Sequence, residues 1–318
     1  MVSADPIRLA GARVLVTGAS GFLGAALRRR LAGAGARVHG TSRRSELSGG
    51  GIEGGLRGDL ADAGFAREVV AEAGPEVLFH LASEVTGSRE PEAVLPTVRG
   101  NLVSAVNVLL AAREAGCRRV VVAGSMEEPE PARNGEPPVP ASPYAAAKGA
   151  ATAYARMFHA LWGLPVVTAR VFMVYGPAQP DLRKLVPYVT LALLRGERPR
   201  LSSGRRPVDW IYVDDAVEGL VALGTAPGID GERLDLGSGE LVRVREVAER
   251  LAAIARRPAS SLGFGELPDR PMEQVRTADV ARTRERTGWR PAVSLDEGLG
   301  RTVDWYREAL EAGRLPGA

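Results

Sequence analysis

Short apolar runs alternate with longer amphipathic stretches along the first half of the chain. The runs that predict buried strands are 13–17, 37–41, 77–81, 119–123 and 166–171. The stretches with helical composition are 25–33, 64–73, 98–115 and 142–161. Strands that alternate with helices at this spacing predict right-handed βαβ units and a parallel sheet. The strands show no clean alternation of apolar and polar positions, as expected where helices cover both faces of a sheet.

The pattern changes after residue 173, where prolines interrupt the regular alternation. Helices are predicted again at 214–223, 244–255 and 295–312, and a strand at 234–236. Taken together, the patterns predict an α/β protein with a doubly wound parallel sheet of the Rossmann type.

The composition is typical of a soluble globular protein, with 45% apolar and 25% charged residues. The net charge is only +3 and the arginines form scattered pairs, so we expect no nucleic-acid partner. Cys117 is the only cysteine, which excludes an intramolecular disulfide and a zinc cluster built on cysteines. The three histidines stand well apart, and we expect no metal site. We also expect no signal peptide and no membrane span, hence a cytoplasmic protein.

A glycine-rich segment, 17–24, lies between the first predicted strand and the first predicted helix. A pyrophosphate can lie there against main-chain N–H groups at the helix N-terminus, provided that no side chain blocks its approach. A plain glycine-rich turn is the alternative, but the strand–turn–helix context is a strong signal for dinucleotide binding. The residues expected to form this cradle are Gly18, Ser20, Gly21, Phe22, Leu23 and Gly24.

Two arginines stand about 20 residues after the cradle, where an acidic residue would bind the adenine ribose of NAD. The segment offers Ser42, Arg43 and Arg44 and no carboxylate. Guanidinium groups suit a ribose 2′-phosphate, so we predict NADP as the cofactor, with NAD as the alternative. A solvated arginine pair would look the same. Asp59 is expected either to hydrogen-bond the adenine or to cap a helix.

Tyr144 and Lys148 are four residues apart on a predicted helix and therefore share one face. A cationic lysine near a phenol favours the phenolate, which predicts a pKa of Tyr144 below its usual value of about 10. Such a tyrosine can pass a proton to or from a substrate oxygen while hydride moves. Among 41 basic residues only Lys148 and Lys184 are lysines, which favours a role that arginine cannot fill. Ser125 ends the fourth predicted strand and is expected to orient a substrate carbonyl, although a turn serine is the alternative.

Motifs along nearly the whole chain resemble the extended short-chain dehydrogenase/reductase family of NAD-dependent epimerases and dehydratases. They are TGASGFLG (17–24), HLA (80–82), Asn101 and Asn107, Ser125, YAAAK (144–148), RVFMVYGP (170–177), DWIYVDDA (209–216) and TGWRPAVSLDEGL (287–299). The resemblance implies a catalytic trio of Ser125, Tyr144 and Lys148. It also implies homodimerisation through the helices at 98–115 and 142–161.

The same resemblance implies two domains. Residues 1–172 with 208–238 would form the dinucleotide-binding domain, and 173–207 with 239–318 a smaller lobe that binds a nucleotide-linked sugar. Further cofactor contacts are implied for Leu60, Leu81, Ala82, Ser83, Asn101 and Val171. Substrate contacts are implied for Ser125, Met126, Glu127, Met173 and Arg270.

The triplet Ser125–Met126–Glu127 bears on which family member the chain is similar to. Sugar 4,6-dehydratases carry Thr-Asp-Glu or Thr-Ser-Glu there. Glu127 is a candidate to move a proton at C5 of the sugar, but Met126 cannot act as an acid. The segment GSMEEPE (124–130) resembles the GSSEEYG of GDP-4-keto-6-deoxymannose reductases. The tail segment 270–273 also resembles the corresponding segment of these reductases, and by that resemblance Arg270 would bind the diphosphate.

Two departures leave the sugar and the base unassigned by analogy. Met173 stands where the family usually has asparagine, and Val208 precedes Asp209 where the family often has arginine. We predict an NADPH-dependent 4-ketoreductase of a nucleotide-linked deoxysugar, in which Tyr144 protonates the C4 oxygen. The alternatives are a 4-epimerase with retained NAD, a 4,6-dehydratase, and a non-catalytic dinucleotide sensor, which would need no proton donor.

Overall fold

The computed structural model describes residues 6–43, 47, 49, 51–130 and 138–315. The strands are β1 (Arg13–Thr17), β2 (Arg37–Ser42), β3 (Ile52–Arg57), β4 (Val77–His80), β5 (Arg119–Ser125), β6 (Val166–Val171), β7 (Met173–Tyr175), β8 (Arg200–Leu201), β9 (Pro207–Tyr212), β10 (Arg233–Leu236), β11 (Leu241–Arg243) and β12 (Gly263–Phe264). The α-helices are α1 (Phe22–Gly33), α2 (Ala63–Ala73), α3 (Val94–Thr97), α4 (Ser104–Glu114), α5 (Pro143–Trp162), α6 (Leu185–Arg195), α7 (Val213–Thr225), α8 (Val244–Ile254), α9 (Val280–Thr287) and α10 (Leu295–Glu311).

The chain divides into two compact units. Unit 1 comprises Met1–Val171, Val217–Leu236 and Asp279–Arg290, and unit 2 comprises Phe172–Ala216, Gly237–Ala278 and Pro291–Ala318. These boundaries differ from the predicted ones by one or two residues at 172 and 237–238, and by longer segments in two places. Residues 208–216 belong to unit 2 because β9 pairs with β7 and β11, and residues 279–290 belong to unit 1 because α9 packs on β10.

Unit 1 is built on a seven-stranded parallel sheet in the order β3-β2-β1-β4-β5-β6-β10. The four residues of β4 and the six of β6 are all buried, which explains their continuous apolar character. The strand order reverses between β1 and β4, and a crevice for a ligand forms at such a point, outside the carboxyl ends of the strands. The predicted Rossmann fold is confirmed.

The helical segment from Pro91 to Glu114 is not a regular α-helix throughout. A 3₁₀ turn precedes α3, and a π-helical turn at Val98–Val103 joins α3 to α4. By length and composition alone this segment would be apolar enough to cross a membrane. In the structure it packs within unit 1, α4 against α2 and the π turn against α5.

Unit 2 contains a small sheet in the order β11-β9-β7 and a short pair, β12 with β8. Helices α6, α8 and α10 pack on one another. Two carboxylates of the DWIYVDDA motif bind main-chain N–H groups: Asp209 those of Ser238, Gly239 and Ala278, and Asp215 those of Ala292 and Val293. In this chain the motif therefore holds distant segments of unit 2 together.

Candidate active site

The glycine cradle joins β1 to α1 where the strand order reverses. Gly18 has a φ of +68°, and a Cβ on it would lie 2.8 Å from the main-chain nitrogen of Ala82. A Cβ on Gly24 would overlap the carbonyl oxygen of Gly18. Among the described residues no side chain caps the N-terminus of α1 at Gly21. The first turn of this helix therefore offers main-chain N–H groups to an anion.

The other residues predicted to contact the cofactor lie on the cradle or at the carboxyl ends of the parallel strands. Ser20 is exposed in the loop, Phe22 and Leu23 begin α1, Ser42 and Val171 end β2 and β6, Leu60 follows β3, and Leu81, Ala82 and Ser83 follow β4. The sheet thus brings together residues that are far apart in the sequence, as a crevice at the strand ends requires.

Arg43 is paired with a carboxylate. Its Nη2 donates a hydrogen bond to Oε2 of Glu84 at 2.6 Å, and both side chains are partly exposed. The guanidinium that was expected to meet a 2′-phosphate is therefore already neutralised by a residue that the sequence analysis did not single out. Arg44 lies outside the described residues.

Asp59 does not cap a helix. Its Oδ1 accepts the N–H of Ala61 at 2.9 Å and its Oδ2 pairs with Arg99 at 3.2 Å, and chiefly the first of these bonds lowers the pKa of the carboxyl. The cap of α2 is Asp62, which accepts the N–H of Phe65 at 2.9 Å. The capping alternative for Asp59 is wrong, and its contact with adenine stays a prediction.

A hydroxyl ties β1 to the end of β4. Thr17 Oγ1 accepts the N–H groups of Leu81 and Ala82, both at 3.1 Å, so its own proton points to Nδ1 of His80 at 2.9 Å. His80 is therefore a neutral acceptor through Nδ1. Burial, with a smaller contribution from the charge of Lys148, lowers the pKa of His80 to about 3.

Asn101 fixes the segment that follows β4. Its Oδ1 accepts the hydroxyl of Ser83 at 2.7 Å and the N–H of Glu84 at 2.8 Å, and its Nδ2 donates to the carbonyl of Glu84 at 3.2 Å. Asn101 lies in the π turn, a local irregularity that is frequent at functional sites. The predicted contact of Asn101 with the cofactor stays a prediction, whereas its hold on Ser83 is direct.

Ser125 ends β5 and is fixed by the turn that follows. The main-chain N–H of Glu127 donates to Ser125 Oγ at 3.1 Å, and the N–H of Ser125 donates to Oε1 of Glu128 at 2.7 Å. Because Ser125 Oγ accepts from the main chain, its own proton can be donated to a ligand. Met126 is buried, with its N–H bound to the carbonyl of Val171 at 3.0 Å.

Helix α5 places Tyr144 and Lys148 on successive turns. Ser142 caps the helix by accepting the N–H of Ala145 at 3.1 Å, and Pro143 takes the first helical position. Lys148 is buried and its Nζ donates to the carbonyl oxygen of Ala123 on β5 at 2.8 Å. The Nζ lies 5.9 Å from the centre of the Tyr144 ring. The two residues thus share one face, as the spacing predicted.

The prediction that Lys148 lowers the pKa of Tyr144 is wrong for this structure. Burial raises the pKa of Tyr144 to about 12, and the charges of Glu127 and Glu128 act in the same direction. Hydrogen bonds with the side chains of Ser125 and Ser83 oppose the rise. At neutral pH the free Tyr144 side chain is therefore a protonated phenol, which can donate a hydrogen bond to an oxygen.

Lys148 is shifted in the opposite direction. Burial lowers its pKa to about 8, and the negative charge of Glu128 counteracts this. The ammonium therefore stays mostly protonated at pH 7 and loses its proton around pH 8, at a position where an arginine would stay charged.

The two substrate-contact candidates of the C-terminal half both lie in unit 2. Met173 begins β7 and is partly buried. Arg270 is exposed in the loop after β12, two residues before Met272, which has a φ of +55°. Their contacts with substrate stay predictions.

Comparison with known proteins agrees with the fold and the family resemblance. Residues 14–237 match the NAD dependent epimerase/dehydratase family. The chain is 34% identical over 316 residues to a UDP-glucose 4-epimerase of Mycolicibacterium smegmatis, covering 93% of this chain and 98% of the relative. It is 33% identical to a dTDP-glucose 4,6-dehydratase of Actinoplanes, covering 79% of each.

A solved structure extends the likeness to three dimensions. The UDP-glucose 4-epimerase of Thermus thermophilus, in complex with NAD, superposes with a TM-score of 0.80 at 28% identity, over 93% of this chain and 99% of that one. The resemblance inferred from the motifs is confirmed at the level of the family. The chain belongs to the NAD-dependent epimerase/dehydratase family.

Proposed function

We propose that the protein is an NAD-dependent 4-epimerase of a nucleotide-linked hexose, with a UDP-hexose as the first substrate to test. This was the enzyme alternative in the sequence analysis. The UDP-glucose 4-epimerase of M. smegmatis supports it, because it is 34% identical to this chain over 93% of its length. A 4-ketoreductase has less support, because the relatives described above are epimerases and a dehydratase.

The observation that carries this choice is the residue after Ser125. A 4,6-dehydratase must deliver a proton to the hydroxyl that leaves C6, and the acid of the family triplet is replaced here by Met126. The thioether of Met126 has no proton to give, and the residue is 3% exposed. Epimerisation at C4 eliminates no hydroxyl, and the groups of Ser125, Tyr144 and Lys148 suffice for it.

The residues of unit 1 fit a dinucleotide. The cradle would be filled by a Cβ at Gly18 or Gly24, and the N-terminus of α1 offers N–H groups to a pyrophosphate. The pairing of Arg43 with Glu84 favours NAD over NADP, because a 2′-phosphate would have to displace a carboxylate at 2.6 Å. When bound, the nicotinamide would accept hydride from C4 of the sugar and return it.

The remaining steps belong to side chains of the chain itself. When the C4–H bond breaks, Tyr144 accepts the proton of O4 as a phenolate, and the resulting phenol gives that proton back when the C4–H bond forms on the opposite face. Because burial raises the pKa of Tyr144 to about 12, the phenol must first lose its own proton to solvent before it can act as the base. The hydroxyl of Ser125, held by the N–H of Glu127, donates to the same oxygen and keeps it in place. Lys148 supplies positive charge next to the phenol.

One observation favours a dehydratase as the second candidate. Glu127 occupies the position of the glutamate in the family's dehydratase triplet, and it is partly buried rather than exposed. In that reaction Glu127 would remove the proton from C5.

Incubation of the purified protein with UDP-glucose, UDP-glucuronate and dTDP-glucose, followed by NMR of the products, tests the proposal. We expect inversion at C4 with no loss of water and no consumption of added nicotinamide. Glu127→Gln should leave at least a tenth of the turnover of an epimerase, because no C5 proton moves, whereas a dehydratase would lose roughly 10²–10⁴-fold. A 4-keto-6-deoxy product, abolished in Glu127→Gln, would replace the proposal by the second candidate.

The predicted cytoplasmic location and the predicted homodimer stay predictions. Leu95, Leu161 and Trp162, on α3 and α5, are exposed apolar side chains in the chain as described. They lie on or next to the helices through which the family resemblance implies dimerisation. The elution volume of the purified protein in size-exclusion chromatography tests the predicted homodimer directly.

A further inference from the structure

Glu128 is a buried carboxylate beside the proposed catalytic groups that the mechanism above does not use. It is 1% exposed, and no motif in the sequence points to a role for it. Its Oε1 accepts the N–H of Ser125 at 2.7 Å, and its own N–H donates to the carbonyl of Ser125 at 3.1 Å. The two bonds close a tight turn around Ser125. A Cβ on Gly124 would overlap Oε1, so the glycine makes room for the carboxylate.

Glu128 is also one end of an alternating series of charges. Its Oε2 lies 3.9 Å from Nη1 of Arg233 on β10, and Nη2 of Arg233 donates to Glu130 at 3.0 Å. Glu130 is paired in turn with Arg170 on β6, which makes a bidentate pair with Asp235 at 2.7 and 2.6 Å. This series, defined as the β6–β10 charge chain, fixes the turn after β5 to β6 and β10, the next two strands of the sheet.

The charge of Glu128 acts on both proposed proton-transfer groups. It counteracts the effect of burial on the pKa of Lys148 and raises the pKa of Tyr144. His80, held neutral on β4, and Tyr144 also lie near Lys148, and the charge of Glu127 acts on Tyr144.

Lys148 and Glu128 bind the same end of β5, Lys148 at the carbonyl of Ala123 and Glu128 at the N–H of Ser125. Burial raises the pKa of Glu128, and the hydrogen bond with Ser125 and the charges of Arg233 and Lys148 oppose that rise. The carboxylate of Glu128 and the ammonium of Lys148 therefore stabilise each other.

We propose that Glu128 is a positioning residue: through Oε1 it holds Ser125 at the end of β5, and through its charge it keeps Lys148 protonated. The two tasks use different properties of the same side chain, a hydrogen-bond acceptor and a negative charge. The inference rests on the proposed function only in assigning catalytic roles to Ser125, Tyr144 and Lys148. It holds equally for an epimerase and a dehydratase.

Two substitutions separate the two tasks. Glu128→Gln keeps an acceptor for the N–H of Ser125 and removes the charge, whereas Glu128→Ala removes both. We expect kcat to fall about tenfold more in Glu128→Ala than in Glu128→Gln, with KM changed less than threefold, as for the loss of a hydrogen bond to a charged group. Glu130→Gln is the matched control, because it removes a carboxylate of the same charge chain that pairs with Arg170 and Arg233. Its kcat should stay within threefold of the parent.

The effect of the Glu128 charge on Lys148 can be measured without any activity assay. The chain has only two lysines, so the protein grown on ¹³Cε-lysine gives two side-chain signals, and Lys184 serves as the internal reference for Lys148. We expect the Lys148 signal to titrate at a lower pH in both Glu128→Gln and Glu128→Ala than in the intact protein. The titration in Glu130→Gln should be displaced less.

The Lys148 titration and the kcat comparison test the two roles of Glu128 independently of each other. An unchanged Lys148 titration in Glu128→Gln overturns the charge role even if the protein proves not to be an epimerase. Equal kcat in Glu128→Gln and Glu128→Ala, with both variants folded by circular dichroism, overturns the role in positioning Ser125. Absence of C4 inversion in the unaltered protein sinks the proposed function alone, and the kcat comparison is then made on the reaction that is found.

Discussion

Tyr144→Phe separates chemistry from packing more cleanly than any other change in the site. It removes one oxygen and leaves the ring on α5 next to Lys148, so the cofactor cradle is untouched. Because the pKa of Tyr144 is about 12, the phenol carries its proton at neutral pH, and phenylalanine removes both the donor and the acceptor that O4 requires. A placed acid or base contributes 10²–10⁴-fold, which corresponds to about 2.7–5.4 kcal/mol of transition-state stabilisation.

The effect on folding should be smaller. The lost hydroxyl interacts with Ser125 and Ser83, and two ordinary hydrogen bonds are worth roughly 1–3 kcal/mol together. In a chain of this size that lowers Tm by less than about 10 °C. The assay is C4 inversion followed from both epimers, with mass spectrometry of the nucleotide that stays bound. Turnover within threefold of the parent, in a Tyr144→Phe protein that inverts a verified substrate, would refute Tyr144 as the proton carrier.

Three further changes test the rest of the site. Lys148→Arg should lose at least tenfold in kcat, because the longer, planar guanidinium cannot reproduce the Nζ bond to the Ala123 carbonyl. Any decrease of kcat/KM above about pH 8 that arises from deprotonation of Lys148 should also disappear, because arginine stays charged. A Lys148→Arg variant with full activity and the same decrease at alkaline pH would contradict this. Gly24→Ala should abolish nucleotide retention while the chain still folds, as measured by absorbance of the purified protein and circular dichroism. Glu84→Gln should raise NADP affinity up to about fivefold with NAD affinity unchanged, by calorimetry, since it releases Arg43 from an exposed ion pair.

The elements with strong apolar patterns could be predicted from the sequence, and they are the ones that carry the site. The predicted bounds of β1 and β6 agree with the structure residue for residue, and those of α2 and α5 to within one residue. Two of the elements that were missed, β3 and α9, have weak local signals, whereas α6 and β9 are apolar but contain or begin at a proline. β3 is Ile-Glu-Gly-Gly-Leu-Arg and gains its order from pairing with β2, and α9 is so polar that only its contact with β10 reveals it.

The site follows the same rule. Tyr144, Lys148, Ser125 and the glycine cradle are readable because spacing and order along the chain define them. The residues that pair with these groups and set their pKa values cannot be identified from the sequence. Nothing in the sequence shows that Glu84 lies against Arg43, 41 residues away, or that burial outweighs Lys148 in setting the pKa of Tyr144. Both are consequences of tertiary packing, and both changed the chemical interpretation.

The last strand of the parallel sheet has a consequence for how the protein is made. β10 completes the sheet beside β6, yet it ends at Leu236, 65 residues after β6 ends at Val171. At the usual synthesis rate of about 5–20 residues per second, the apolar edge of β6 waits roughly 3–13 s on the ribosome for its partner. An open edge of this kind invites pairing with other chains. A fragment ending at Val171 would keep that edge permanently, so we expect the nucleotide-binding half to precipitate when it is produced alone.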